Sequence, residues 1–155
     1  MTGGALTTEQ EQRIREAFQA VPFARFLGIE LGEMKRGQAT LHLEMRDELR
    51  RNNGVAHGGV VASLADTAAA FAILTLLEPH ETTTTIDLTI HYLRPLLTGR
   101  ATANARVLRA GRRVLVISVE VMDEAQALAA TALTSFIKLA GDFRQNHVNS
   151  DGQEC

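Results

Sequence analysis

Residues 60–77 constrain this chain more than any other stretch: they are apolar almost throughout, rich in alanine, and interrupted by a single charged residue, Asp66. A carboxylate at the middle of a bilayer costs about 3 kcal/mol on insertion scales, which the weak contribution of alanine does not offset. The segment therefore reads as a helix buried in protein. A helix that is apolar on every side must be covered on nearly every side, and one antiparallel sheet curled around it is the economical cover. Six phenylalanines, one tyrosine and no tryptophan leave small side chains to line that contact, so sheet and helix can approach closely.

The flanking sequence supplies the strands. Thr7 caps a helix expected over residues 8–20, with Glu9 and Glu11 in its first turn and Ile14, Phe18 and Val21 at helical spacing. Pro22 interrupts it, and residues 23–28 read as a second short helical turn. Leu27, Ile29 and Leu31 alternate with other residues, as do Ala39, Leu41, Leu43 and Met45, which predicts two strands around a turn from Gly32 to Gly37. Four more strand-like runs follow the long helix, at residues 82–93, 100–109, 113–122 and 127–138. In the first, Ile86, Leu88, Ile90 and Tyr92 fall on one face, and Thr85, Asp87, Thr89 and His91 on the other. Turn signals at residues 95–99, Gly111 and 123–125 are short enough for antiparallel hairpins.

The expectation is an α+β chain: one domain over residues 1–140, a six-stranded antiparallel sheet around one central helix, and a mobile polar tail at 141–155. Such a sheet leaves edges and part of the helix uncovered, and a symmetric dimer is a natural completion.

Charge and motif content remove several functions. Sixteen basic against eighteen acidic residues carry no footprint for a phosphate backbone. The one cysteine, Cys155, can form neither an internal disulfide nor a cysteine metal cluster, which fits a reducing cytoplasm. Residues 1–15 lack the basic start and apolar run of a secretory signal. His42, His80, His91 and His147 show no ligand spacing with His57, so no metal is expected. Ser63 has no G-x-S-x-G turn around it, and phosphate-binding glycine motifs are absent.

The densest chemical signal is Arg51-Asn52-Asn53-Gly54-Val55-Ala56-His57-Gly58-Gly59, running directly into the long helix. Glycines at a helix start leave the free amides sterically open, and those donors can hold a developing oxyanion; Gly58 is the candidate. Asp66 sits among Leu64, Ala65 and Ala68, where an unpaired carboxylate costs several kcal/mol. Read alone, Asp66 suits a bond to a neighbouring chain at an interface as well as it suits catalysis. His57 alone suits a structural hydrogen bond better than a base.

Together, Asn-x-Gly-x-x-His-Gly-Gly, Ser-Leu-Ala-Asp-Thr-Ala and Thr-x-Asp-Leu-x-Ile-x-Tyr-Leu-Arg-Pro resemble the hot-dog-fold acyl-CoA thioesterases of the phenylacetate-pathway (PaaI) type, over residues 23–139. The resemblance implies hydrolysis of acyl-CoA thioesters to a carboxylic acid and free coenzyme A, in a cleft between protomers of a homodimer or homotetramer. No cofactor is implied, coenzyme A entering only as part of the substrate. It makes Asp66 the nucleophile or general base, Gly58 the donor to the thioester carbonyl, His57 the residue that orders that turn, and Thr85 an orienting hydroxyl supplied across the dimer. The family often carries an asparagine six residues before the histidine; that position is Arg51 here, and Asn52 or Asn53 stands beside it. Arg94, and Arg112 and Arg113 in the hairpin at Gly111, are implied anchors for the coenzyme A phosphates, unless they are ordinary turn arginines. A non-catalytic acyl-CoA binder and an enoyl-thioester hydratase are the rival functions on the same fold.

Overall fold

A computed structural model describes residues 3–140; the expected tail at 141–155 lies outside the described residues. Helix α1 (Thr8–Gln19) starts in a reciprocal capping box, Thr7 accepting from the Gln10 amide while the Gln10 side chain accepts from Thr7. It buries Ile14 and Phe18, the latter edge-on to Phe71 of the central helix at 5.0 Å between ring centres. Helix α2 (Pro22–Leu27) takes its proline at the first turn and ends at Gly28, whose φ of 77° is the left-handed cap that glycine adopts without strain. Leu27 therefore belongs to α2 rather than to the first strand.

Strands β1 (Ile29–Lys35) and β2 (Gln38–Glu44) precede the central helix α3 (Gly58–Leu74). Strands β3 (Glu81–Tyr92), β4 (Arg100–Ala110), β5 (Val114–Met122) and β6 (Leu128–Ala140) follow it. All six form one antiparallel sheet in the order β1-β2-β4-β5-β6-β3. Two of the three expected hairpins, β4–β5 and β5–β6, are present. The third is not: β3 lies at the far edge beside β6, and residues 95–99 carry the chain across the start of α3 to the middle of the sheet. Buried Leu96 pins that crossing, its carbonyl accepting from the Ala56 amide at 2.8 Å. The expected turn from Gly32 to Gly37 is also shorter. Strand β1 continues through Gly32, where the His42 ring of the neighbouring strand fills the space a Cβ would need, and only Arg36 and Gly37 turn.

The core is the contact between α3 and the concave side of the sheet. Leu64, Ala65, Ala68, Ala69, Ala72 and Ile73 of α3 are fully buried. They face Leu41 and Leu43 of β2, Ala101, Ala103 and Ala105 of β4, and Leu115, Ile117 and Val119 of β5. Along a paired row large and small residues alternate, as in Leu41, Ala103, Val121 and Ala130. No helix among the described residues is long and apolar enough to cross a membrane.

One buried polar residue ties the end of α3 to the sheet. The Thr75 hydroxyl accepts from the Gly37 amide and donates to the Ala72 carbonyl, both at 2.6 Å. Thr75→Val keeps the shape and strands the buried Gly37 amide, so it is expected to lower unfolding free energy by about 1–3 kcal/mol in urea titration. An unchanged midpoint would mean that the amide finds another acceptor.

Candidate active site

The start of α3 is built by hydrogen bonds to its own capping residue. His57 is the N-cap in extended backbone, and its Nδ1 accepts from the Gly59 amide at 3.0 Å. That bond places the ring proton on Nε2 and occupies Nδ1. The His57 carbonyl accepts from the amides of Val60 and Val61, at 2.9 and 3.4 Å. Among the described residues the Gly58 amide donates to nothing, so it is the open donor at the positive end of the helix dipole. From the last residue of β3, the Tyr92 hydroxyl donates to the Gly58 carbonyl at 2.8 Å. Strand alternation puts Tyr92 on one face with Ile86, Leu88 and Ile90, and the family motif includes it without giving it a role; in the structure it is half-exposed. Its being the only tyrosine, two residues before Arg94 and Pro95, was the available signal.

Asp66 lies on the one face of α3 that the sheet leaves open, a stripe of Ala62, Ser63, Asp66, Thr67 and Ala70 that is only partly buried. Ser63 and Thr67 turn their hydroxyls back to the Gly59 and Ser63 carbonyls, each at 2.7 Å, as polar residues inside helices commonly do. Asp66 is the exception. Its Oδ1 accepts from the Thr85 hydroxyl at 2.9 Å, which leaves Oδ2 without a partner among the described residues. Burial raises the pKa of Asp66 above the ordinary aspartate value, and the Thr85 bond opposes that rise without cancelling it.

The Thr85 contact corrects two expectations. Strand alternation placed Thr85 on the face opposite Leu88 and Ile90, but pairing with β6 steps from Thr85 and Phe136 directly to Asp87 and Ser135. Ile86 is thus an extra residue in a bulge, 56% exposed, and the two faces exchange there. Thr85 consequently shares the helix side with Leu88 and Ile90. It also reaches Asp66 within one chain, not across a dimer.

One chain holds the open amide and the carboxylate well apart. Gly58 and Asp66 are eight residues apart on one helix, about 12 Å along its axis at 1.5 Å per residue. The Gly58 amide and the Asp66 carboxylate of one chain therefore cannot meet at one carbonyl. Beside Gly58 lies a groove of about 440 Å³ whose walls include Arg51, Val61, Tyr92, Arg94 and Leu96. Arg94 is thus near the expected turn, and Arg51 joins it there; the Arg51 guanidinium also bonds Asn53 at 2.7 Å. Asn52 is exposed in the same turn. Gly111, Arg112 and Arg113 sit at the other end of α3, beside the Gly37 turn that Thr75 holds, roughly 25 Å away for a helix of this length. Among the described residues no three acidic, histidine or cysteine side chains gather as a metal site would require.

One antiparallel sheet wrapped around a long helix defines the hot-dog class of α+β proteins. The Thioesterase superfamily model matches residues 53–130, from the turn before α3 into β6. The chain is 35% identical to the medium/long-chain acyl-CoA thioesterase YigI of Salmonella typhimurium, over 85% of this chain and 96% of that protein. It is similar in structure to the Escherichia coli PaaI protein of the phenylacetic acid degradation operon, with a TM-score of 0.81 and 26% identity over 88% of this chain and 98% of that one. A variant of PaaI from Thermus thermophilus superposes with a TM-score of 0.71 and 31% identity, over 77% of this chain and all of that one. The chain belongs to the thioesterase superfamily, as a hot-dog thioesterase of the PaaI type, and is a thioester hydrolase.

The raised pKa of Asp66 makes its charge a cost to the fold. Between the unfolded value, about 3.9, and the raised folded value, the native state holds the extra proton, so stability falls as pH rises through that window. Asp66→Asn keeps an oxygen for the Thr85 hydroxyl and removes the charge. The variant is expected to melt above the parent at pH 7 and to lose that advantage near pH 4, read by thermal denaturation at both values. A parent that melts higher at pH 7 would contradict the buried-charge account.

Proposed function

We propose that this protein hydrolyses acyl-CoA thioesters to a carboxylic acid and free coenzyme A, at sites completed by two copies of the chain. The observation that carries this reading is the placement of Asp66: a partly buried carboxylate on the open stripe of α3, fixed by Thr85 through one oxygen and free at the other. Since Gly58 and Asp66 of one chain are about 12 Å apart, the donor that faces Asp66 belongs to a second copy. Strand β3 is an edge of the sheet, has Ile86 turned outward and runs beside the open stripe. A two-fold pairing along it brings α3 of each copy past the other.

In the proposed reaction Asp66 either takes a proton from the water that attacks the thioester carbonyl carbon and passes it to the departing sulfur, or attacks that carbon itself to form an acyl anhydride that water then hydrolyses, releasing the acid and regenerating Asp66. The tetrahedral oxyanion accepts from the Gly58 amide of the second copy, the carbon–sulfur bond breaks, and the thiolate leaves with a proton as free coenzyme A. A preorganised amide of this kind is worth roughly 10²–10³ in kcat. His57 holds the turn that presents Gly58, and Asn52 is the proposed stand-in for the family's asparagine. Arg94 is the proposed phosphate anchor next to Gly58, with the Gly111 hairpin, Arg112 and Arg113 contributing to a site completed by the second copy. YigI is named for medium and long acyl chains, and the open stripe continues past Asp66 with Ala70 and Leu74, an apolar floor that suits an aliphatic acyl group. The chemistry consumes only water, and a cytoplasmic setting fits a coenzyme A ester as substrate.

A thiol-release assay over short, medium, long and aromatic acyl-CoA esters tests the substrate class, with Asp66→Asn expected to lower kcat by about 100-fold or more. Near-parental turnover in that variant would remove Asp66 from the mechanism. Sharing of the site has its own test. Inactive Asp66→Asn and inactive Gly58→Val, unfolded and refolded together in equal amounts, are expected to regain about a quarter of parental activity, because half of randomly assembled two-fold dimers are mixed and each has one intact site. No recovery, with mixed dimers demonstrated, would mean that each chain carries a whole site.

A further inference from the structure

We infer that Tyr92 is a positioning residue that aims the Gly58 amide; the inference rests on the role proposed for Gly58 above. Gly58 has no Cβ, so its own torsions leave the direction of its N–H soft, and something outside the residue must fix it. The peptide unit that follows, the Gly58 carbonyl with the Gly59 amide, is held at both ends by side chains. The carbonyl accepts from the Tyr92 hydroxyl at 2.8 Å, and the amide donates to His57 Nδ1 at 3.0 Å. The unit that precedes it, the His57 carbonyl with the Gly58 amide, is held at the carbonyl by Val60 and Val61. Of the four polar groups in these two peptide units only the Gly58 N–H is left unbonded, in a plane held at its carbonyl end and joined to a second plane held at both ends.

The Tyr92 ring also closes on the glycine itself. A Cβ built on Gly58 would lie 3.3 Å from both the ring Cζ and the hydroxyl oxygen. A side chain at position 58 would push the ring back and loosen the bond that holds the carbonyl. Glycine at 58 and tyrosine at 92 are therefore one device: absence of a side chain gives the ring access, and the hydroxyl removes the freedom that this absence creates. The device also joins the distal end of β3 to the start of α3, linking the strand that carries Thr85 to the helix that carries Asp66. Tyr92 is half-exposed, so its hydroxyl contributes little to global stability.

Tyr92→Phe keeps the ring and deletes only the donor. The expected result is a kcat about tenfold lower with KM within twofold, a melting temperature unchanged, and several-fold faster hydrogen exchange at the Gly59 and Val60 amides, read by NMR. Unchanged kcat with Asp66→Asn inactive overturns this inference and leaves the proposed mechanism standing; a fully active Asp66→Asn overturns that mechanism instead. A raised KM at parental kcat would make Tyr92 a substrate contact, and a lowered kcat with unaltered exchange would mean that it does not act through the turn. Both overturn the inference. Should Tyr92→Phe be unstable, Tyr92→His, which retains a ring donor, is expected to recover part of kcat together with slower exchange; recovery of stability without kcat counts against it.

Discussion

Close contact between α3 and the sheet is the constraint from which the rest of the structure follows. The helix meets Ala101, Ala103 and Ala105 of β4 with its own Ala65, Ala68, Ala69 and Ala72, all buried. Interfaces of this kind bring backbones near one another, and any added methylene would force the layers apart. The sheet is thereby drawn around the helix far enough to cover all but one stripe. What stays open on that stripe is not left to chance, since it contains the helix's only charged side chain. The same wrapping brings β3 alongside, so Thr85 can hold that carboxylate from the sheet while the helix holds it from below.

The spacing along α3 then shapes the proposed catalysis. A helix is a rigid ruler, and eight residues separate the open amide from the carboxylate by about 12 Å. A chain with both groups on one helix divides a site that needs them within a few ångströms of one carbonyl, and a second copy is the remedy the proposed function uses. The division also separates the tasks of the two ends. The start of α3 supplies a fixed dipole and one open donor, the Gly58 amide, in a turn held by His57 and Tyr92. Its middle supplies a carboxylate whose burial raises its pKa, which strengthens it as a base at the cost of some stability.

Much of this was legible in the sequence. The apolar run with one acid implied a sheathed helix, strand alternation located all six strands, and the glycine-rich turn marked the helix start and the open amide. The misses share a cause. Leu27 fell in both the short helical turn and the first strand, because alternation over three residues does not distinguish a strand from a helix end that a left-handed Gly28 terminates. The hairpin expected at residues 95–99 failed because pairing partners are chosen across the whole sheet: β4 pairs with β2 and β5, and β3 takes the edge. Thr85 was assigned to the wrong face because a bulge at Ile86 shifts the period by one, and no local composition announces it.

What the sequence determined by itself is therefore the local and the periodic: which segments are helix or strand, that α3 must be enclosed, and which polar residues sit where an enclosed helix would not tolerate them without use. These follow from nearest-neighbour sterics and from the cost of leaving apolar surface in water. Only the tertiary structure decided that Thr85 meets Asp66, that Tyr92 meets Gly58, and that the arginines of the Gly111 hairpin lie at the opposite end of the helix from Arg94. Those contacts join residues 19 and 34 positions apart. They depend on strand order, on one bulge and on the depth to which alanine lets the sheet close, which are properties of the packed whole that no single segment encodes.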